Sequence, residues 1–309
     1  MVPAAPVVPM ETTAIIPTLG RETLADAMAS LEKQSAIPKI IVKTGDGDTL
    51  IKIKEAVNEA TTETVIIADD DAQYPEKWIE NLSKSMTPKT GFVGGPCLPL
   101  IDADSNDAEK CIAEVTASWF GTSNMSYRYK KGTKTKDADE TNLIGNGLYR
   151  RDVLAKILNA DFDKIPPAAW ETFVFTRIRQ MGFRTLYNPQ GLFYHKQRTN
   201  LMDFGRQIFR SGMGRINFFK QFPAQLFWKF HILFPFIFTI YLICFFFAAF
   251  LNIPISNIPL IAYVAILALV SFGFNKHKSR RLPFFYLTMH FSYGLGMLFG
   301  LFKNERTWT

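Results

Sequence analysis

The sequence predicts an α/β domain with a mostly parallel central sheet, followed by C-terminal transmembrane helices. Strand and helix patterns alternate from residue 13 to residue 95 in the manner of βαβ units. No Asp, Glu, Lys or Arg occurs between Phe230 and Asn275, a stretch long enough for two membrane crossings of roughly 20 residues each. The predicted organisation is a flexible leader at 1–12, the α/β domain at 13–200, a basic interfacial helix or linker at 201–225, and a membrane domain at 226–309.

Strand–helix units open the predicted α/β domain. Strands are assigned where β-branched residues cluster, and helices where apolar residues recur every three or four positions, as Leu24, Ala27 and Leu31 do. In chain order the predicted elements are a strand at 13–17, a helix at 21–33, a strand at 39–43, a helix at 49–60, a strand at 64–68, a helix at 76–85 and a strand at 91–95.

Three consecutive carboxylates, Asp69, Asp70 and Asp71, follow the third predicted strand. That strand contains β-branched residues without alternation, which is typical of a parallel strand covered on both faces. In open α/β sheets, ligands bind beyond the carboxyl ends of such strands. Mg²⁺ is usually held by one or two carboxylates together with phosphate oxygens of a substrate. The pattern therefore predicts a divalent cation with a phosphorylated ligand, and a solvated acidic turn is the alternative.

The C-terminal region contains three apolar stretches. Residues 230–251 are long enough to span a bilayer, and 258–274 form a shorter second candidate after a polar turn. The third stretch, 282–302, contains His290 and three glycines, so it either crosses the membrane or lies in the interface. A buried helical pair of a soluble protein is the alternative for the whole tail.

The positive charge of the chain is concentrated in this tail. The net charge is +7, yet the residues before Leu226 are almost neutral, with 28 Lys and Arg against 27 Asp and Glu. The basic loop at 276–281 indicates a cytoplasmic side by the positive-inside rule. The charge thus argues against nucleic-acid binding, and predicts an integral membrane protein whose head domain is cytoplasmic. Three scattered cysteines form no metal or redox spacing, as expected in a reducing compartment.

Four segments of the head carry a resemblance to a known family. They are 16–22 (IPTLGRE), 68–71 (ADDD), 145–152 (GNGLYRRD) and 170–172 (WET). In this order they resemble the family 2 glycosyltransferases, whose catalytic domain has the GT-A fold, with ADDD similar to the D-x-D metal motif. The resemblance implies an inverting transfer from a nucleotide-sugar donor held by Mg²⁺ or Mn²⁺.

The resemblance also implies roles for individual residues. Glu171 is the expected general base, and Asp71 and Asp69 the expected metal ligands. The expected donor-binding residues are Pro17, Thr18, Arg21, Asp46, Asp69 and Asp70. The expected acceptor or phosphate side consists of Asn146, Trp170, His195, Gln207 and Arg210.

Two positions depart from the family pattern. Thr172 stands where the family usually has the second acid of a Glu-Asp pair, so the role of base moves to Glu171, unless that residue simply begins a helix, where the dipole favours an acid. Lys43 and Thr44 replace two aspartates that hold the nucleoside. Asp46 or Asp48 takes over those contacts or else belongs to an ordinary Gly-Asp turn. His195 is either an acceptor contact or a buried histidine.

The segment before the membrane is strongly basic. Nine Lys or Arg residues against one Asp lie between 177 and 220, and juxtamembrane basic residues are attracted to anionic headgroups. A membrane-bound acceptor, a polyprenyl-(di)phosphate-linked glycan, is therefore the expected partner. Two alternatives stay open: a polyprenyl-phosphate monosaccharide synthase, and a non-catalytic membrane scaffold with the same fold. A transporter is disfavoured because the apolar stretches contain no intramembrane charge.

Overall fold

A computed structural model describes residues 11–139 and 142–303. The predicted leader lies outside the described residues except for Glu11 and Thr12, and Thr12 already begins the first strand. The chain divides into two compact units. The first consists of Met1–Leu100 and Tyr127–Lys196, and the second of Ile101–Ser126 and Gln197–Thr309. The segment Ile101–Ser126, which the sequence assigned to the α/β domain, thus groups with the C-terminal helices.

The first unit contains all ten strands of the described chain and five α-helices. Its strands are β1 (Thr12–Pro17), β2 (Lys39–Lys43), β3 (Thr64–Ile67), β4 (Ala72–Gln73), β5 (Thr90–Gly94), β6 (Cys97–Pro99), β7 (Lys136–Asp137), β8 (Gly147–Arg150), β9 (Arg184–Tyr187) and β10 (Phe193–His195). Its helices are α1 (Leu24–Glu32), α2 (Thr49–Glu59), α3 (Trp78–Ser83), α6 (Arg151–Ala160) and α7 (Trp170–Gln180). The helices of the second unit are α4 (Asp107–Ala117), α5 (Trp119–Thr122), α8 (Leu201–Gln221), α9 (Pro223–Trp228), α10 (Phe234–Phe250), α11 (Ile258–Leu269) and α12 (Leu282–Phe302).

A seven-stranded sheet with the order β2-β1-β3-β8-β5-β9-β7 forms the centre of the first unit. β1 is parallel to β2 and β3, and β5 is parallel to β9. β8 runs antiparallel to both β3 and β5, and β7 is antiparallel to β9. Five strands therefore share one direction, and the prediction of a mostly parallel central sheet is confirmed. Pro17 pairs with Lys43, and Ile15 with Ile67, so β1, β2 and β3 end at one edge.

A small three-stranded sheet brings a distant part of the chain next to the acidic segment at 69–71. Its order is β4-β10-β6, with β10 antiparallel to β4. β4 begins directly after Asp71. His195, the last residue of β10, pairs with Ala72. This register brings a histidine from the far end of the unit to the carboxylates after β3.

Buried aromatic residues pack together next to this sheet. Tyr74 and Trp78 have ring centroids 4.2 Å apart, and Phe193 of β10 lies 5.8 Å from Tyr74. The indole Nε1 of Trp78 donates a hydrogen bond to the carbonyl of Gly191 at 3.0 Å. Aromatic pairs of this kind bury large areas in fixed geometries, so β4 and β10 are held firmly against the core.

In the second unit, α8 and α12 approach each other closely at glycines. An added Cβ at Gly212 would lie 2.2 Å from the carbonyl oxygen of Tyr293, and one at Gly296 would lie 2.0 Å from that of Phe209. Small residues at such contacts let helix backbones meet, as is common between membrane helices. The glycines of the third apolar stretch are therefore packing positions within one continuous helix rather than helix breaks.

Two helical segments, His231–Phe250 and Leu282–Phe302, are long and apolar enough to cross a membrane. Ile258–Phe274 forms a shorter apolar helix, which ends in a π-helical turn. Large apolar side chains such as Phe246, Phe250 and Ile261 are more than half exposed. Exposed apolar surface of this extent marks a partner other than water.

The helix α8 differs between its two halves. Arg206, Gln207 and Arg210 are exposed in the first half. Arg215 in the second half is also one of the basic residues before the membrane, but it is only 6% exposed, and its Nη2 lies 3.7 Å from the sulfur of Met125. The spacing of residues along a helix does not show which side chains pack over Arg215, so its burial could not be predicted from the sequence.

Candidate functional site

Asp70 lies at the carboxyl end of β3 and is held by two side chains from the turn after β1. The Thr18 hydroxyl donates to Asp70 Oδ2 at 2.5 Å, and Arg21 Nη1 lies 3.2 Å from Asp70 Oδ1. The Asp70 side chain is 7% exposed. A buried carboxylate requires such partners, and both come from residues that the sequence placed on the donor side.

Asp71 is also nearly buried, and its two carboxylate oxygens contact the side chains of Arg21 and His195. Arg21 Nη1 donates to Asp71 Oδ2 at 2.9 Å, while His195 Nε2 lies 3.0 Å from Asp71 Oδ1. The backbone N–H of Lys196 donates to the Asp71 carbonyl at 3.0 Å. The short strand β10 therefore fixes His195 against Asp71 through both backbone and side chain.

Asp69 is the most accessible of the three carboxylates, with 39% of its side chain exposed. Its Oδ2 lies 3.7 Å from His195 Nε2, and Asn146 donates a hydrogen bond to it. Desolvation in the site raises the pKa of Asp69 to about 6; Asp71 adds to the increase, and His195 opposes it. Asn146 also donates to the Tyr74 hydroxyl at 3.3 Å, so it lies beside the acid cluster, the name used here for Asp69, Asp70 and Asp71.

Asp69, Asp71 and His195 together fit a divalent metal ion. Each offers one ligand atom, and these atoms lie within 4.8 Å of one another. Two carboxylate oxygens and an imidazole nitrogen suit ions such as Mn²⁺. After desolvation, the negative charge of Asp71 also contributes to the raised pKa of Asp69, because like charges at short distance disfavour ionisation.

Lys52 is a site residue that sequence reasoning missed. Its side chain is buried on the apolar face of α2, 6% exposed, and its Nζ donates to the Thr18 carbonyl at 2.8 Å. Lys52 therefore fixes the residue that holds Asp70. The sequence did offer one indication of this role, a lysine on the apolar face of the helix between Leu50 and Ile53.

The first turn of α7 places Glu171 and Thr172 differently. Thr172 is fully buried, and its hydroxyl has no hydrogen-bond partner among the described residues. Glu171 is partly exposed, and its charge, like that of Asp69, raises the pKa of buried Tyr149 in addition to the effect of burial. Of the two adjacent positions, only Glu171 offers an accessible group. Its helix-terminal position agrees equally with the dipole explanation, so its role as base stays a prediction.

Trp170 packs on the glycine turn before β8. An added Cβ at Gly145 would lie 2.5 Å from the Trp170 ring, so only glycine fits there. This contact joins two of the segments on which the family resemblance rests, because Gly145 precedes Asn146. Trp170 and Asn146 thus belong to one part of the first unit.

The remaining predicted residues lie elsewhere. Pro17 is buried at the end of β1, next to Thr18. Asp46 is exposed in a loop whose glycines, Gly45 and Gly47, have positive φ values of 117° and 122°. Asp48 caps α2 by accepting from the Leu50 N–H at 2.9 Å, which favours the turn interpretation for that residue. Gln207 and Arg210 are exposed on α8 in the second unit, and their roles stay predictions.

The structure shares its fold with a solved mannosyltransferase. No family model matches the sequence, and no curated protein matches it either. The chain is similar to the mannosyltransferase PcManGT from Pyrobaculum calidifontis, solved with GDP-Man and Mn²⁺, at 15% identity and a TM-score of 0.61, over 95% of this chain and 88% of that one. It also matches S. aureus TarS, at 11% identity and a TM-score of 0.42 over 66% of this chain and 39% of that one. The first similarity extends over nearly the whole chain, and the predicted α/β fold with apolar C-terminal helices is confirmed.

Proposed function

We propose that this protein is an inverting, metal-dependent glycosyltransferase that moves a sugar from a nucleotide-sugar donor to a lipid-linked acceptor at the membrane surface. The observation that carries the proposal is the group of Asp69, Asp71 and His195 at the carboxyl end of β3. It stands in a fold similar to that of a solved mannosyltransferase with GDP-Man and Mn²⁺.

In this proposal Asp69, Asp71 and His195 hold Mg²⁺ or Mn²⁺. The bound ion would neutralise the negative charge that develops on the nucleotide leaving group. Arg21 bridges Asp70 and Asp71, so it fixes the orientation of both carboxylates before any ligand arrives. Arg21 is 41% exposed, which leaves its guanidinium accessible to phosphate oxygens as well.

Glu171 accepts the proton of the acceptor hydroxyl as general base. Its carboxylate is accessible, whereas Thr172 is enclosed, and it lies at the turn where Trp170 packs on Gly145. A general base of this kind contributes about 10²–10⁴-fold to the rate. Trp170 and Asn146 would then border the sugar and the acceptor.

The acceptor is a polyprenyl-phosphate- or polyprenyl-diphosphate-linked glycan. The apolar helices with exposed Phe and Ile side chains support a membrane location, and the basic loop at 276–281 supports a cytoplasmic catalytic domain. Gln207 and Arg210, both exposed on α8, are the proposed contacts for the lipid phosphate.

The test is release of nucleoside diphosphate or monophosphate by the full-length protein from a panel of nucleotide sugars that includes GDP-mannose. Membrane lipid extract is added as a source of acceptor, with Mn²⁺ or EDTA. Release with one donor, lost with EDTA, is the expected result. Asp71→Asn should lower it by about 100-fold or more, because metal binding contributes several kcal/mol of transition-state stabilisation. Asp163→Asn, an exposed acid in the same unit, is the matched control and should leave the rate unchanged.

Glu171→Gln distinguishes transfer to an acceptor hydroxyl from transfer to a lipid phosphate. A loss of about 100-fold or more indicates a hydroxyl acceptor that needs a base. Substantial remaining turnover indicates that a bare lipid phosphate is the nucleophile, as in a polyprenyl-phosphate monosaccharide synthase. Absence of release with every donor, together with retained nucleotide binding, would overturn the proposal in favour of a non-catalytic scaffold.

A further inference from the structure

The second unit contains its own group of metal-binding side chains. Asp107, Cys111 and His277 each offer a ligand atom, and these three atoms lie within 4.8 Å of one another. Cys111 is fully buried, while Asp107 and His277 are partly buried. The residues come from two separate chain segments, so their convergence is a product of the fold rather than of a local sequence motif.

The α4 helix supplies two of the three ligands on one face. Asp107 is its first residue, and Cys111 follows one turn later, at the i, i+4 spacing that brings side chains together. The cap residue Asn106 and Glu109 form a capping box that fixes this first turn. Ala108, Ile112 and Val115 pack into an apolar cluster with residues of α12, so the helix cannot rotate its ligand face away.

The loop before α12 supplies the third ligand. His277 Nε2 lies 2.8 Å from Asp107 Oδ1. The backbone N–H of His277 donates to Glu114 Oε1 at 3.0 Å, which places a second carboxylate of α4 next to the loop. The Ser279 hydroxyl donates to Asp107 Oδ2 at 3.1 Å. The loop is thus aligned along Asp107, Cys111 and Glu114, one face of one helix.

The donor set has a definite chemical preference. Thiolate, imidazole and carboxylate groups all bind Zn²⁺, whereas the thiolate is a poor ligand for a hard cation such as Mg²⁺. Ligand atoms lie about 2.0–2.3 Å from Zn²⁺, which puts two corners of a tetrahedron roughly 3.3–3.8 Å apart. The Cys111 sulfur lies 3.9 Å from Asp107 Oδ2, and His277 Nε2 lies 2.8 Å from the other carboxylate oxygen, Oδ1. Binding of one ion by all three groups therefore requires a shift of the Asp107 carboxylate.

We propose that Asp107, Cys111 and His277 form a Zn²⁺-type structural site, and that Glu114 positions it by holding the backbone of His277. The site fastens the basic loop before α12 to the helix α4, and it is independent of the proposed transferase activity. Its role is to stabilise the second unit, because an ion that binds only the folded state raises stability by mass action.

Arg281 is the nearest competing cation. Its Nη1 lies 3.5 Å from Asp107 Oδ2, but its side chain is 56% exposed. An exposed guanidinium at this distance contributes little free energy and can move into water when a metal binds. Loss of Arg281 should therefore leave the affinity for metal unchanged or increase it.

The test uses tag-free, full-length protein in detergent, stripped with a chelator and titrated with Co²⁺ and then Zn²⁺. Binding of Co²⁺ through a thiolate gives a sulfur-to-metal charge-transfer band in the near ultraviolet. We expect this band in the unmodified protein, its displacement by Zn²⁺, and about one retained zinc per chain. Cys111→Ser should abolish the band and lower affinity by about 100-fold or more, because it removes the thiolate ligand. His277→Gln should weaken binding by a similar factor.

Three control variants separate this site from other sources of binding. Cys244→Ser removes an exposed cysteine of α10 and should change nothing. Asp71→Asn should also leave the band intact, because the acid cluster contains no sulfur ligand. Arg281→Gln should bind Co²⁺ at least as tightly as the unmodified protein. Absence of a band in the unmodified protein, or a band that survives Cys111→Ser, would overturn the proposal. Absence of metal binding combined with a lower melting temperature for His277→Gln would assign the group to hydrogen bonding alone.

Discussion

The first unit keeps its buried charges in close pairs, whereas the second unit joins its helices through backbone contacts at glycines. In the first unit Asp70 contacts Thr18 and Arg21, and Lys52 contacts the Thr18 carbonyl. In the second, Gly212 lies against the Tyr293 carbonyl and Gly296 against the Phe209 carbonyl. Charge pairs suit a unit that binds ions from water, and close packing suits helices whose outer surface is apolar. Substitutions in the first unit should therefore act mainly through lost electrostatic and hydrogen-bond contacts, and those in the second unit mainly through disturbed helix packing.

The largest expected effect is on helix packing in the second unit. Gly296→Val places a side chain where Cβ alone would lie 2.0 Å from the Phe209 carbonyl, and overpacking costs about 1–3 kcal/mol. We expect a loss near 3 kcal/mol, measured as a lower melting temperature in detergent. Gly273→Ala is the matched control, since its Cβ would have its nearest neighbour at 3.6 Å. Equal melting temperatures for both variants would mean that the glycine contacts do not hold the unit together.

Lys52→Met tests the buried hydrogen bond from Lys52 to the Thr18 carbonyl. It removes the donor to the Thr18 carbonyl but keeps a long apolar side chain, so the fold should persist at a cost of about 1–3 kcal/mol for the unpaired carbonyl. Turnover in the nucleotide-release assay should fall about tenfold, equal to roughly 1.4 kcal/mol, because Thr18 is no longer fixed against Asp70. Lys54→Met, two residues along the same helix, should leave turnover unchanged. If both variants retain full turnover, Lys52 has no part in positioning the acid cluster.

The pair of Asp161 with Arg177 should be visible in acid unfolding. Burial acts to raise the pKa of Asp161, but hydrogen bonds from Lys164 and Arg177 outweigh it and hold the pKa below its ordinary value. A lowered folded-state pKa gives stability that is present above the unfolded value of about 3.9 and is lost as pH falls through the folded value.

Asp161→Asn should therefore cost about 1 kcal/mol at pH 7, a figure reduced for the exposure of Lys164 and Arg177, and the cost should vanish in acid. The pair of Asp137 with Arg184, more than half exposed on both sides, supplies the control. Asp137→Asn should have a smaller effect. A cost for Asp161→Asn that is independent of pH would point to packing instead of charge.

The smallest effect is expected at Thr172. Its hydroxyl is buried without a partner among the described residues, so Thr172→Val should be neutral or stabilising by up to about 1 kcal/mol. Thr62→Val, by contrast, removes bonds of 2.8 Å to Thr13 and to the Thr64 carbonyl and should cost about 1–3 kcal/mol. Differential scanning calorimetry of the two variants measures the difference. A large cost at Thr172 would indicate that its hydroxyl does have a partner.

The sequence by itself determined the features that depend on local pattern. β-Branched residues before Asp69 predicted a buried parallel strand, and the absence of charge after Phe230 predicted the apolar helices. Both predictions hold because residue period and composition alone decide which face of an element avoids water. The acid cluster was found in the same way, because it follows β3, whereas Thr18 and Arg21 were expected from the resemblance to family 2 glycosyltransferases.

Tertiary structure alone decided which distant residues meet. His195 reaches Asp71 because β10 pairs with β4 in one register, and strand register is not written in the local pattern. Cys111 lies in no cysteine motif, yet packing of α4 on α12 brings it to His277. Burial of Thr172 beside accessible Glu171 was equally invisible, because adjacent helical positions differ only in what packs against them.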